Sequence, residues 1–542
     1  MRKFNNLSLS DLVSVDSSPF PKGLWLILIL SFSLNIIAIN WGLPSQINVS
    51  WAADEITPSL VMEGIKMKFS HGWSTPYPPF HFYVLSAFYL PFYFLDALNI
   101  INLQNLFMTT LFFIIGRLIS VFMGTALVFV VYLCGCEIME KKSALFVSLI
   151  TALTPPFLYY SKTANVDIPY IFWFFLATYF FIRILKYHHT SDYIFFAGTA
   201  VFSIGTKGQA LGLFVLMPFI IIYSLYRHSK SREGKTSILK SIINKKTLSA
   251  LVTGTSLFAI IHNFMFNFHG FKKYLFFATE NAKGEIGFPS SISDLSSMFI
   301  QTIKQLEFIL GLPFFLICII GFLYGLTKKD KYPYLFWLMV PVFTYYITFI
   351  LIMGKNSVRH LIPIYILMSF FGALGISYFL YATRRFRMIK SLLVFILFAN
   401  SAVYSFSVDV AMASDSRYHV EQWMSENIEK NESILFLGYM NYLPRRRGYT
   451  HIKNQILARQ GAIKVLNPSY ILINSDLLRS TQPSFYQKIL HGDMGYKQIL
   501  RYRSSPWLSL LPEHKIREQE KNQIITNLNL INPEIIILKK IN

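Results

Sequence analysis

The chain contains eleven apolar segments, each close to the length that an α-helix needs to cross a lipid bilayer. A spanning helix takes about 20 predominantly apolar residues, because inside the bilayer the backbone must satisfy its own hydrogen bonds. The segments lie at residues 22–41, 113–136, 144–160, 168–185, 192–207, 209–226, 247–267, 306–326, 333–353, 360–381 and 389–406. The sequence therefore predicts a polytopic α-helical membrane protein with about 11–13 transmembrane helices.

Composition agrees with this prediction and excludes a soluble protein. Of 542 residues, 53% are hydrophobic and only 14% are charged. The net charge of +22 arises mostly in short loops between apolar segments, so membrane topology explains it better than nucleic-acid binding. The three cysteines, Cys134, Cys136 and Cys318, lie in or beside apolar segments and have the spacing of neither a zinc site nor a disulfide framework.

Basic loops determine the predicted orientation in the membrane. Lys and Arg are concentrated at residues 141–142, 227–246, 328–331 and 384–390. Cytoplasmic loops carry an excess of these residues, so we expect all four loops, and the N-terminus, to be cytoplasmic. Residues 24–40 are expected to be a retained first span, because no small-residue cleavage site follows them.

Residues 79–112 are apolar and rich in aromatic residues, but they do not fit this topology as a single span. One crossing there would place every later basic loop outside the cell. We therefore predict an interfacial or re-entrant helix, and a tight two-pass hairpin is the alternative that preserves the same topology.

The predicted topology divides the chain into two parts. Residues 1–406 form the membrane module, whose main outer loops are 42–112 and 268–305. Residues 407–542 are more polar and form a predicted small extracytoplasmic α/β domain. Its helix is expected at 415–427 and its strands at 433–438, 470–473 and 535–538.

Charged residues at the outer ends of the predicted spans are the candidates for a reactive site. They are Asp54, Glu55, Asp167, Lys207 and Arg359. The structural explanation is that the two aspartates cap helices and that the two cations extend to the membrane interface, as could Arg117. The functional explanation depends on the fact that all five residues are predicted to lie on the outer side of the membrane. A carboxylate can take a proton from a hydroxyl or bind a divalent ion, and Lys and Arg can hold a phosphate, so the set fits group transfer from a lipid phosphate.

Short motifs follow one another along the membrane part and into the start of the C-terminal domain. They are Ala53-Asp54-Glu55, Tyr77-Pro78-Pro79-Phe80, Gly116-Arg117, Thr154-Pro155-Pro156 with Asp167-Ile168-Pro169, Thr206-Lys207-Gly208, Arg359-His360-Leu361 and Asp415-Ser416-Arg417. In order, spacing and sidedness they resemble those of the GT-C glycosyltransferases, specifically the relatives of protein O-mannosyltransferases and lipid A aminoarabinose transferases.

The resemblance implies an inverting glycosyltransferase that moves a sugar from a polyprenyl-phosphate donor to a lipid, protein or glycan acceptor on the extracytoplasmic face. It implies that Asp54 is the general base, that Glu55 orients it or binds the acceptor, and that Asp167 supports Asp54. A divalent metal ion held by Asp54 and Asp167 is an optional cofactor. Lys207 and Arg359 would stabilise the lipid phosphate as it leaves.

Two other classes of function compete with this one. A transporter or flippase of lipid-linked sugars would also be polytopic, but it would more often place acids in mid-membrane and show repeat symmetry. A structural subunit of an envelope-assembly complex would not need both Asp54 and Asp167. The expected location is a bacterial inner membrane, because the sequence shows no endoplasmic-reticulum retention signal.

Overall fold

The computed structural model describes residues 20–44, 49–73, 76–233, 237–285, 289, 291–354, 356–383, 385–445, 448–455, 460–510 and 526–541. By length and composition, six of the described helices can cross a membrane, or up to nine if each of three bent pairs counts as one span. The chain is therefore a multi-pass membrane protein with a small C-terminal sheet. Fewer described helices reach spanning length than the 11–13 expected, because several predicted spans are short or bent.

The helices of the membrane part run in the following order: α1 Lys22–Ile36, α2 Pro58–Lys66, α3 Phe80–Ala97, α4 Leu106–Ile138, α5 Lys141–Ala152, α6 Pro155–Ser161, α7 Asp167–Tyr187, α8 Thr190–Thr206, α9 Leu211–Phe214, α10 Met217–Glu233, α11 Ile238–Ile242, α12 Lys245–Ile261, α13 Phe264–Glu285, α14 Ile292–Leu310, α15 Leu312–Thr327, α16 Met339–Tyr345, α17 Leu351–Met353, α18 Ile362–Tyr381 and α19 Arg387–Ala413. The C-terminal domain contains α20 Ser416–Asn427, β1 Ser433–Leu437, β2 His451–Gln455, α21 Gln460–Leu466, β3 Tyr470–Asn474, α22 Ser475–Thr481, α23 Pro483–Leu490, β4 Tyr496–Tyr502 and β5 Ile535–Lys540.

Three predicted spans are bent pairs of helices. Helices α5 and α6 bend by 68°, α12 and α13 by 79°, and α14 and α15 by 112°. The first break precedes Pro155-Pro156, where Thr154 is extended because a residue before proline avoids the helical region. The last break is at Gly311, whose φ of +74° suits glycine and ends α14.

Residues 79–112 contain one complete helix, α3, and the first turns of α4. The alternative of a two-pass hairpin within these residues is therefore not formed. Helix α4 has 33 residues, so at 1.5 Å per residue it is about 50 Å long and exceeds a bilayer core of about 30 Å. The interfacial or re-entrant position of α3 stays a prediction.

The C-terminal domain is the α/β unit that the sequence predicts. Its five strands have the order β2-β1-β3-β5-β4, with β1 parallel to β2 and β3 and the remaining pairs antiparallel. Alternate residues of the central strands are buried on opposite faces of the sheet, in two apolar clusters. The three predicted strands are confirmed as β1, β3 and β5, whereas β2 and β4 were not predicted, because their sequences are largely polar.

A buried charge cluster attaches the C-terminal domain to the membrane module. Helix α19 runs past residue 406 to Ala413, and Asp415 then caps α20. The Arg417 guanidinium donates to Asp415 at 2.7 Å, and neither side chain is exposed. The indole N–H of Trp41 also donates to Asp415 at 3.0 Å, and Arg417 lies 4.1 Å from the centroid of the Trp51 ring. The domain therefore packs against the segment that leads into Asp54.

Candidate active site

Asp54 lies on a turn between α1 and α2, with its carboxylate at the surface. Its φ of +58° is in the left-handed region, which Asp and Asn adopt more readily than most residues. The side chain is 48% exposed and forms an ion pair with Arg359. Helix α2 has Thr57 at its N-cap position, so the explanation of Asp54 as a helix cap is wrong. A cation thus holds the carboxylate while it remains accessible to a substrate.

Glu55 has the opposite environment, since its side chain is buried. The Arg117 guanidinium donates to both carboxylate oxygens, at 2.7 and 2.8 Å. The backbone N–H of Ala164 donates to the same carboxylate at 2.7 Å. The Ser50 hydroxyl also donates to this carboxylate. Glu55 therefore anchors the turn that carries Asp54, and Arg117 is paired inside the protein instead of extending to the interface.

Asp167 and Lys207 form a second ion pair. Asp167 begins α7 and Lys207 directly follows α8, and the Lys207 ammonium donates to Asp167 at 2.6 Å. The Ser203 hydroxyl donates to the Tyr170 carbonyl at 2.8 Å, which joins the two helices close to the pair. Both charged side chains are less than one-tenth exposed. Lys207 is therefore a buried, paired cation.

The loop before α18 holds Arg359 in place through contacts with α14. The side-chain amide of Gln305 donates to the Asn356 carbonyl at 2.9 Å, and the Asn356 amide donates to the Thr302 hydroxyl at 2.5 Å. The Ser357 hydroxyl and the His360 ring are 3.0 Å apart. Arg359 is therefore presented by a loop that is tied to an amphipathic helix.

Burial and nearby charges together change the pKa of three groups in the loops around Asp54. Burial, and then the Asp54 carboxylate, raise the pKa of Tyr77. Burial, and then the Arg359 guanidinium, hold the pKa of His360 well below its usual range. Burial opposes the charge on Arg359, but the carboxylates of Asp167 and Asp54 raise its pKa above the usual value. Near neutral pH the site therefore contains a protonated phenol, a neutral imidazole and a charged guanidinium.

The structure thus brings together four of the five candidates as two ion pairs. The pairs are coupled, because the Asp167 carboxylate raises the pKa of Arg359 in the other pair. Glu55 instead fixes the turn that carries Asp54. Asp54 and Asp167 each already have a cation partner, an arrangement that does not favour a divalent ion between them. In the described part of the chain, no group of three His, Cys, Asp or Glu residues could hold a metal ion. Metal binding by Asp54 and Asp167 stays a prediction.

The sequence did not predict that the C-terminal domain contacts the segment that leads into Asp54. The indole N–H of Trp51 donates to the carbonyl of Leu443, the residue after Tyr442. Burial, and then the Asp54 carboxylate, raise the pKa of Tyr442. The available signal was Trp51 itself, a large aromatic residue three positions before Asp54 in a loop.

One family model matches part of the chain. Residues 100–244 match the model described as dolichyl-phosphate-mannose-protein mannosyltransferase. The matched residues include Arg117, Asp167 and Lys207, whereas Asp54 and Arg359 lie outside them. The resemblance to the relatives of protein O-mannosyltransferases is thereby confirmed over this part. No curated protein sequence matches the chain.

Distant similarity to two solved structures extends over most of the chain. The oligosaccharyltransferase of Archaeoglobus fulgidus, in complex with zinc and sulfate, is 14% identical with a TM-score of 0.44, over 89% of this chain and 72% of its own. ArnT from Cupriavidus metallidurans, bound to undecaprenyl phosphate, is 10% identical with a TM-score of 0.43, over 95% and 97%. At these values the likeness is distant.

Proposed function

We propose that the protein is a membrane glycosyltransferase that moves a sugar from a polyprenyl-phosphate donor to an acceptor hydroxyl on the extracytoplasmic face. The observation that carries the proposal is the pairing of an accessible carboxylate, Asp54, with Arg359, beside the Asp167–Lys207 pair. The matched family model supports the class of donor, since its name specifies a dolichyl-phosphate sugar.

The acceptor hydroxyl is the group that Asp54 would deprotonate. As the carboxylate takes the proton, the acceptor oxygen attacks the anomeric carbon and the bond from that carbon to the phosphate oxygen breaks. The polyprenyl phosphate leaves with the electron pair, so a direct displacement inverts the anomeric centre. Asp54 is suited to this role because it is half exposed, whereas the carboxylate of Glu55 is buried and already hydrogen-bonded.

The two cations would stabilise the leaving phosphate. Arg359 has five N–H donors in a planar fork, so it can keep its contact with Asp54 while it binds a phosphate oxygen. The Lys207 side chain is buried. Screening by solvent is weak there, which strengthens the attraction of the ammonium group for an anion. Asp167 would hold Lys207 in position before the donor binds.

Purified protein in lipid nanodiscs, supplied with a panel of radiolabelled polyprenyl-phosphate sugars and a membrane extract as acceptor source, tests the proposal. We expect one donor to release free polyprenyl phosphate while the label enters an acceptor. If no donor is consumed, the protein is not a transferase of this class. In proteoliposomes, label that crosses the bilayer with its donor intact would instead identify a flippase.

A further inference from the structure

The turn after β1 presents two tyrosines next to the candidate active site. Gly438 follows β1 with a φ of +128°, a conformation that glycine allows, and the chain then turns through Tyr439 and Tyr442. The two ring centroids are 5.7 Å apart with the rings at 76° to each other. Tyr439 is 50% exposed. The pair therefore forms an accessible aromatic corner.

Hydrogen bonds fix this corner relative to Asp54. Trp51, three residues before Asp54, donates its indole N–H to the Leu443 carbonyl at 3.1 Å. On the other side, the side-chain amide of Asn474 donates to the Tyr442 carbonyl at 3.2 Å. The Asp54 charge also contributes to the raised pKa of Tyr442, after burial, which agrees with this proximity.

The topology of the sheet places the corner where open α/β sheets bind ligands. Such sheets bind at the carboxyl ends of parallel strands, where successive connections leave in opposite directions. Here β1 is followed by β2 on one side, and the chain then crosses back to β3 on the other. The corner lies at the carboxyl ends of β1 and β3, the point of that reversal.

We propose that Tyr439 and Tyr442 form an acceptor subsite that binds a pyranose ring, so that the acceptor is a glycan or another sugar-bearing molecule. This inference rests on the proposed glycosyltransferase function and names the substrate class of the same site. One face of a pyranose carries C–H groups with partial positive charge, which match the negative face of an aromatic ring, and the tyrosine hydroxyls can hydrogen-bond to the sugar hydroxyls.

A peptide acceptor fits this corner less well. Extended peptides are commonly bound by adding a strand to an open sheet edge. Strand β1, from which the corner extends, is paired with β2 on one edge and β3 on the other. The described residues at the corner therefore offer aromatic faces and hydroxyls, without an open edge on β1.

Saturation-transfer NMR on the full chain in nanodiscs tests the subsite without requiring catalysis. The probes are methyl glycosides of glucose, galactose, mannose and N-acetylglucosamine, together with a short Ser/Thr peptide. We expect at least one glycoside to bind, and Tyr439→Leu and Tyr442→Leu to weaken that binding by roughly 3–10-fold each, the effect of one aromatic contact. Tyr439→Phe and Tyr442→Phe keep the rings and should retain most of the binding.

Tyr502→Leu is the matched control, because Tyr502 is a half-buried tyrosine of the same domain on β4, three strands away from β1 in the sheet. It should leave glycoside binding unchanged. Glycoside binding that is unaffected by the corner variants, or that is not detected for any probe, overturns the proposal. Tyrosine-dependent binding of the peptide alone would assign the corner to a protein acceptor. Since none of these results depends on transfer, they are distinguishable from a failure of the proposed function.

Discussion

Two adjacent acids, Asp54 and Glu55, lie in different environments, which suit them to different tasks. Asp54 is half exposed and paired with Arg359, whereas Glu55 is buried and bonded to Arg117. A buried carboxylate with a full set of donors is suited to fixing a backbone turn.

The variant Glu55→Gln tests this division, because it keeps the size of the side chain and removes its charge. It leaves the buried Arg117 without a counter-ion, and breaking a buried pair typically costs about 3–5 kcal/mol. We therefore expect a lower thermal unfolding temperature, measured by tryptophan fluorescence in nanodiscs, together with lower activity. A fully stable but inactive Glu55→Gln protein would instead give Glu55 a direct part in the reaction.

Lys207 and Arg359 are the two cations of the candidate active site. Lys207→Ala and Arg359→Ala should each lower kcat/KM for the donor by about 10²–10³-fold, since a preorganised donor to a developing anion is lost. Lys207→Arg and Arg359→Lys should recover little, because the two head groups differ in shape.

Lys331→Ala provides the control for these variants, because Lys331 is an exposed lysine on a predicted cytoplasmic loop. It should have wild-type kinetics. Wild-type kinetics in the Lys207 and Arg359 alanine variants as well would remove both residues from the phosphate site.

The start of α20 joins the membrane module to the C-terminal domain. Arg417→Met should lower the unfolding temperature substantially, because it leaves Asp415 buried without its cation, again a cost of about 3–5 kcal/mol. Differential scanning fluorimetry of the purified protein would measure the change. An unchanged unfolding temperature would mean that the pair does not hold the domain in place.

The sequence alone was sufficient to predict some features of the candidate site and of the fold, but not others. Asp167, Lys207 and Arg359 could be predicted because charges at the ends of apolar segments stand out. The partner of Glu55 could not, since Arg117 is 62 positions away and local patterns do not report long-range pairs. The helix bends were not predicted, because hydropathy does not show where an apolar segment changes direction. The break between α14 and α15 at Gly311 is one example. The edge strands β2 and β4 were missed because their residues are largely polar.

The C-terminal domain packs against the segment that leads into Asp54. The membrane topology of the whole chain therefore tests on which side the candidate active site lies. The domain contacts the segment before Asp54, so both must lie on the same side of the membrane. The basic loops predict that this side is extracytoplasmic. A phosphatase that is active only outside the cytoplasm should be active when it is fused after residue 542. A reporter that fluoresces only in the cytoplasm should not fluoresce when it is fused at the same position. The reverse result would place the site in the cytoplasm and exclude a lipid donor whose head group faces outward.

In the proposed sugar transfer, Asp54 takes the proton of the acceptor hydroxyl. Asp54→Asn is the sharpest change, since Asn also tolerates the left-handed backbone at this position and keeps the size of the side chain. The measurement is the initial rate of labelled-sugar transfer by purified wild-type and variant protein, with binding of the donor and thermal stability measured in parallel. We predict that kcat falls by at least about 10²–10⁴-fold, the range that general base catalysis contributes, while the fold and donor binding persist. Transfer within a few-fold of the wild-type rate would show that Asp54 is not the general base.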